Sequence, residues 1–275
     1  MATVEDVNPE SFIDVSNDEP EHGRGAWTRE GIGFDYRYVR APKGEKLLGS
    51  ECETSLAHWA VGAGVRAIQR RLAALRLGPE GGFGGEYNVY GQATMASVKR
   101  FQEKNVDPAN GQPLWIDGII GRSDSRALWT PLIDQAEEEE QIPDRLLLGQ
   151  INHESLMDAG AVGYYIFYAD PDDPENLEYR GVDRGLAMMN SKALPNEGWL
   201  DVFSPRYAIN WTANRMKSQF DSYREDYPKR RDSVLWDAAV CAHNSPLWGG
   251  QWAKNGAPPN EQAARYVAAV KTAVY

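Results

Sequence analysis

The residue best placed to do chemistry is Glu154, in the stretch Ile142-Pro143-Asp144-Arg145-Leu146-Leu147-Leu148-Gly149-Gln150-Ile151-Asn152-His153-Glu154-Ser155. The pattern predicts an apolar helix with one acid near its end. Pro143 suits a first helical position, where its missing N–H costs nothing. Leu147, Ile151 and Glu154 recur at i, i+4 and i+7, so the carboxyl shares the face that the leucine and isoleucine bury. The helix is expected to stop near Gly160, which places Glu154 towards its C-terminal end, where the dipole disfavours an anion. Desolvation and the dipole both favour the protonated carboxyl. A proton held in that way is what a general acid needs to break a glycosidic bond. On the helix alone a second reading stands beside this one, a rim carboxylate paired with an arginine.

Other chemistries fit less well. Zinc hydrolysis needs clustered His, Cys or Asp ligands, and His22, His58, His153 and His243 have no metal-site spacing. Cys241 lies inside an apolar helix pattern, where a small buried thiol is the usual occupant. The glycine-rich stretches lack phosphate-loop spacing. No metal and no cofactor is expected.

The 275 residues fit two small domains. Hydrophobic content of 42% with nine tryptophans is enough to fill their cores. A net charge of -11 opposes nucleic acid as a partner, because a phosphate backbone would be repelled. Two cysteines, Cys52 and Cys241, make no disulfide framework, so reduced thiols are expected. There is no basic start, no leader-like apolar run and no stretch long enough to span a bilayer. A cytosolic origin without stable membrane insertion is therefore expected, and a monomer.

Residues 1 to about 25 are acidic and read as a loose arm. The alternating aromatics of Phe34-Asp35-Tyr36-Arg37-Tyr38 suit a short strand. Residues 1–50 as a whole form an arm, partly disordered or packed on the next domain. A helix from about Gly64 carries Val65, Ile68, Leu72 and Leu75 on one stripe. A second carries Met95, Val98 and Phe101. Asp117-Gly118 marks a turn, Gly121 is expected at an unusual backbone angle, and a short helix capped by Ser123 buries Ala127 and Leu128. Pro131 is expected to break the chain before a helix from Leu132 to Glu140. The run Glu137–Glu140 reads as a solvated helix face, with an acidic docking patch as the alternative. Residues 155–183, rich in Tyr, Pro and Asp, are expected to be loops. There Tyr164–Tyr168 either stack on sugar rings or pack as a flap. A long helix follows Ser204-Pro205 with Ile209, Ala213 and Met216 inward. Asp232 is expected to cap the next helix, Trp248–Trp252 to form a loop, and Asn260 to cap the last helix.

Residues Gly64 to Thr130 resemble the three-helix peptidoglycan-binding domain. The likeness is carried by Val65, Ile68-Gln69, Leu72, Tyr90-Gly91, Thr94, Ser97-Val98, Phe101-Gln102, Asp117-Gly118-Ile119-Ile120-Gly121 and Ala127-Leu128. The resemblance implies a domain at 51–131 that grips bacterial cell-wall peptidoglycan in a shallow groove. Most of the matching residues are core or turn residues and establish a fold more than a binding site.

Three further pieces follow in order: Glu154-Ser155, then Gly185-Leu186-Ala187-Met188-Met189-Asn190, then Ala239-Val240-Cys241-Ala242-His243-Asn244. Together they resemble the lysozyme-like fold of soluble lytic transglycosylases and goose-type lysozymes. The fold implied is mainly α: a small three-helix domain followed by an α-rich lysozyme-like catalytic domain at 132–275. By the resemblance Glu154 is the catalytic acid and Ser155 the serine beside it. Gly185, Leu186, Met188 and Asn190 line the substrate groove, and His243-Asn244 fall near the carboxyl. Met188 stands where the family has a sugar-contacting glutamine, and His243 where it has tyrosine. Histidine can titrate near neutrality, so the pH dependence would differ. An inverting hydrolase also needs a second carboxylate, for which Asp183 and Asp158 are the candidates. A lytic transglycosylase needs none, and Glu-Ser is typical of that branch. A wall-binding module joined to a wall-cutting one, without a signal peptide, is the arrangement of a phage endolysin held in the host cytoplasm until release. A virion-carried lysin would look the same. The alternative from another class is a virion wall-binding or structural protein with a weak or inactive lysozyme-like half.

Overall fold

A computed structural model of the protein describes residues 63–84, 90–157, 159, 162–169, 177–190 and 204–273. The expected acidic arm, the strand expected at Phe34–Tyr38, Cys52, His22, His58, Asp158 and residues 170–176 lie outside the described residues. The described part is mainly helical. Among those residues there are eight helices: α1 (Ala63–Ala74), α2 (Gln92–Gln102), α3 (Arg122–Glu139), α4 (Leu146–Ser155), α5 (Pro205–Asp226), α6 (Asp232–Asn244), α7 (Pro246–Asn255) and α8 (Glu261–Thr272). A three-stranded antiparallel sheet runs in the order β1 (Val162–Ala169), β2 (Leu177–Arg184), β3 (Met189–Asn190). The described residues fall into two compact units. One takes those up to Trp129 and those from Met157 to Ala208; the other takes Thr130–Leu156 and those from Ile209 onwards.

In the first unit the apolar stripes of α1 and α2 form the core. Val65, Ile68, Leu72, Val98, Phe101 and Leu128 are buried, whereas Leu75, at the end of its stripe, is exposed. Polar groups inside this core are satisfied. Gln69 Nε2 donates to Thr94 Oγ1 at 2.9 Å, joining α1 to α2. The Tyr90 hydroxyl donates to the Gly118 carbonyl at 2.8 Å. Gln102, at the end of α2, accepts from the Gly118 amide and donates to the Ile119 carbonyl at 2.9 Å each, so the helix end and the Asp117-Gly118 turn are wired together. Gly118 (φ 82°), and not Gly121, takes the left-handed angle. A Cβ on Gly118 would also run into the Met95 side chain.

Two sequence expectations fail at α3. Ser123 is the second residue inside the helix, and its hydroxyl accepts from Arg126 at 3.1 Å. Pro131 does not break the chain, because α3 runs through it to Glu139. An interior proline costs about 3 kcal/mol. Leu128 and Trp129 before it and Ile133 and Ala136 after it are all buried. At about 1.5–3 kcal/mol per large apolar side chain, that burial offsets the cost.

In the second unit Ile209, Ala213 and Met216 bury the expected stripe of α5. The stretch after Ser245 is a helix, not a loop. Ser245 is the N-cap of α7, its hydroxyl accepting from the Trp248 amide, and Pro246 is at the helix start. Gly249 lets α7 lie against α6, since a Cβ there would overlap Ala242 and the Ala238 carbonyl. Arg231, not Asp232, holds the cap position of α6. Asn260 caps α8 as expected, its side chain accepting from the Ala263 amide at 2.8 Å. The aromatic run Tyr164–Tyr168 lies in strand β1 and not in a loop. Tyr, Ile and Phe favour the pleated conformation, and this preference outweighs the turn signal of the neighbouring prolines and aspartates.

Candidate functional site

Helix α4 is anchored at its start by a residue that the sequence reading placed on a solvated face. Glu137 is 5% exposed, and its carboxylate accepts from the amides of Arg145, Leu147 and Leu148 at 3.0, 2.8 and 3.1 Å. It thereby satisfies the otherwise orphaned amides of the first turn. Pro143 lies three residues upstream of α4, where its carbonyl accepts from the Leu146 amide, rather than at the first helical position. The helix ends at Ser155, earlier than expected, and Leu156 turns the chain with a left-handed φ of 55°. Glu154 is therefore the penultimate residue of α4, one turn beyond the fully buried Ile151.

The Glu154 side chain is 19% exposed. The Tyr266 hydroxyl, from α8, donates a short hydrogen bond to Glu154 Oε1. Gln150 Nε2 donates to the same oxygen at 3.1 Å and to the Tyr266 hydroxyl at 2.5 Å. Both donors fall on Oε1, and among the described residues no hydrogen bond reaches Oε2. A carboxylic acid held like this keeps Oε1 as its acceptor and carries its proton on Oε2. Burial is the leading influence and pushes the pKa of Glu154 up; the hydrogen bond from Tyr266, the charge of His153 and the hydrogen bond from Gln150 pull the other way. The group retains its proton to higher pH than an ordinary glutamate. The Tyr266 hydroxyl is itself held firmly protonated, by burial first and by the neighbouring carboxyl second.

Close approach of α4 to α8 makes this arrangement possible. A Cβ on Gly149 would overlap the backbone carbonyl of Val270, one turn along α8 from Tyr266. Asn152 Nδ2 donates to the Ala273 carbonyl at 2.5 Å and fastens the far end of α8. His243, in the last turn of α6, brings Nε2 to 3.9 Å from Glu154 Oε1. Its ring meets Trp211 edge-on with centroids 6.3 Å apart, and the Arg215 guanidinium lies 5.0 Å from the Trp211 ring centre. The exposed His153 sets its ring edge-on to Tyr266 at 5.2 Å.

Of the residues expected in the site, the structure thus brings His243 to Glu154. Ser155 is buried, and its hydroxyl donates to the Ile151 carbonyl at 3.2 Å, a bond within its own helix. Asn244, the last residue of α6, is exposed. The 183–190 segment belongs to the other unit and has its own order. Asp183 pairs with Asn190 and Arg184 with Met189 across β2 and β3. Gly185 (φ 71°) and Met188 (φ 48°) shape the turn between them, closed by the Met188 amide on the Gly185 carbonyl at 3.0 Å. Leu186 is fully buried, a packing position, while Met188 is partly exposed. The side chains of Asp183 and Asn190 lie outside the described residues.

Two residues that matter here, Gln150 and Tyr266, were not singled out from the sequence, and Glu137 was placed on the wrong face. Gln150 carried a signal, since it lies four residues before Glu154 and so on the same helix face. Glu137 carried one too, four residues after the buried Ile133. Tyr266 carried none, because 112 residues separate it from the acid. Cys241 is buried, which pushes its thiol up to about 11 and makes it a poor nucleophile. Among the described residues no group of three or more His, Cys, Asp or Glu could hold a metal ion, and no helix is long and apolar enough to cross a membrane. No family model and no curated protein matches the chain.

Proposed function

We propose that the protein degrades peptidoglycan, cleaving the β-1,4 bond between N-acetylmuramic acid and N-acetylglucosamine with Glu154 as general acid and base. The observation that carries this reading is a carboxyl on a buried helix face, held by two neutral donors on one oxygen, whose pKa burial pushes up. Glu154 Oε2 gives its proton to the glycosidic oxygen as the bond to C1 breaks, and the sugar leaving group departs neutral. The carboxylate so formed takes the proton of the 6-hydroxyl while that oxygen bonds to C1. A 1,6-anhydro ring closes and the acid is restored. The Glu154-Ser155 pairing, which resembles that of the transglycosylase branch, favours this one-glutamate course. A lysozyme-type hydrolase would require Asp183 or another carboxylate to activate water.

Within this reading the 51–131 segment holds wall peptidoglycan and the lysozyme-like half cuts it. The protein then serves as a phage endolysin, or as a virion-borne lysin, acting on the wall after release from the host cytoplasm. The test is clearing of purified cell walls by wild type and by Glu154→Gln, with mass spectrometry of the fragments. Clearing by wild type only, with products one water lighter than hydrolysed ends, supports the transglycosylase. Equal clearing by both excludes Glu154 as the acid. No clearing by either points to a wall-binding or structural protein instead.

A further inference from the structure

The loop between α2 and α3 holds an exposed aromatic that its own packing does not require. Trp115 is 82% exposed and Ile116 53%, yet Leu114 beside them is buried at 5%. The loop is built to hold this pose. Val106 bridges Pro113, and the Asp107 amide donates to the Gln112 carbonyl at 2.8 Å. The Asp107 carboxylate, 6% exposed, pairs with Arg126 and accepts from the Ala109 amide at 3.0 Å. Beside Trp115 lies a cavity of about 390 Å³, lined among others by Asn110, Gln112, Asp117, Arg122 and Ser123. An anion is a poor occupant. The Gly121 amide at the start of α3 is already taken by the Asp124 carboxylate, and the lining holds three carboxylates, Asp107, Asp117 and Asp124, against one guanidinium, Arg122. The three aspartates of the lining are already engaged, Asp107 by Arg126, Asp117 by Gln102 and the Ile119 amide, Asp124 by the Gly121 amide and Gln102. Asn110, Gln112, Ser123 and the Arg122 guanidinium beside one flat apolar face are left to meet the hydroxyl and carbonyl groups of an uncharged polar ring.

We propose that this loop is a glycan subsite: Trp115 stacks on the face of an uncharged N-acetyl amino-sugar ring, and the cavity beside it receives the ring's acetamido and hydroxyl groups. The inference deepens the wall-binding half of the proposed function, choosing the glycan strand over the stem peptide, and does not depend on Glu154. Its test uses the full chain carrying Glu154→Gln, so that binding is read without cutting. Binding to purified sacculi is measured with and without Trp115→Ala, in competition with chitotetraose or with a free stem pentapeptide. Trp115→Ala is expected to weaken sacculus binding about tenfold or more, with unchanged thermal unfolding because the side chain is exposed. Trp115→Tyr is expected to restore most of the binding, and chitotetraose to compete where the pentapeptide does not. Unchanged binding by Trp115→Ala, or competition by the pentapeptide alone, overturns the subsite and leaves the wall reading standing if the wild type still clears walls. Absence of any sacculus binding together with absence of clearing overturns both.

Discussion

Asp107 and Glu154 are both carboxylates in largely buried places, and their surroundings drive them in opposite directions. Asp107 meets a guanidinium: Arg126 donates to both its oxygens, and that bond pulls its pKa down. With the Ala109 amide and Asn110 also donating to it, Asp107 ties its loop to α3. Glu154 meets a phenol and an amide, among the described residues on one oxygen only, and burial pushes its pKa up. A carboxylate paired with a cation holds structure. One held by neutral donors holds its proton to higher pH, which is what the proposed acid requires. Asp124 lies between the two. It is buried and raised to about 6, but its oxygens are occupied by the Gly121 amide and Gln102, so it stays structural.

The contrast can be broken at each end. Glu154→Gln removes the proposed proton donor and should lower wall clearing about 10²–10⁴-fold, measured as initial turbidity loss. Arg126→Ala leaves Asp107 buried without its cation and should cost about 3–5 kcal/mol in denaturant unfolding. Glu137→Ala strips the acceptor from three amides at the start of α4 and should cost about 3 kcal/mol while lowering clearing, because α4 carries the proposed acid. Tyr266→Phe removes the donor that stabilises the ionised acid. The pKa of Glu154 should rise further, moving the alkaline limb of the clearing profile to higher pH, with a rate loss of about tenfold as the carboxyl loosens.

The smallest effect is on stability. The folded pKa of Glu154 is raised, so its stabilising contribution is complete below the unfolded value and is lost as pH rises through the folded one. Glu154→Gln escapes that loss. Its melting temperature relative to wild type should therefore climb as pH increases, by calorimetry at matched salt. A constant difference across pH would mean that the carboxyl is not held in its acid form.

Much of the helical frame was legible in the sequence because burial repeats with the helical period. Val65, Ile68 and Leu72 in α1, and Ile209 and Ala213 in α5, are buried on the expected faces. Boundaries set by caps were less legible where two signals competed. Pro131 outweighed the apolar residues around it in the reading, and packing outweighed Pro131 in the fold. Gly249 and Gly250 suggested a loop, although Ser245-Pro246 already signalled a helix start. At the site, the position of Glu154 at the end of an apolar helix could be read locally. Its control by Tyr266 could not, because that contact exists only once Gly149 lets α8 close on α4. Gly149→Ala should test that dependence, costing about 1–3 kcal/mol through overpacking and lowering clearing as Tyr266 is pushed away.

The most direct measurement is the titration of the Glu154 carboxyl by carbon-detected NMR in the intact protein, assigned by comparison with Glu154→Gln. A midpoint clearly above the ordinary glutamate range of about 4.3, rising further in Tyr266→Phe, is the expected result. A midpoint at or below that range would show the carboxyl ionised where it has to deliver a proton, and would contradict its role as the acid.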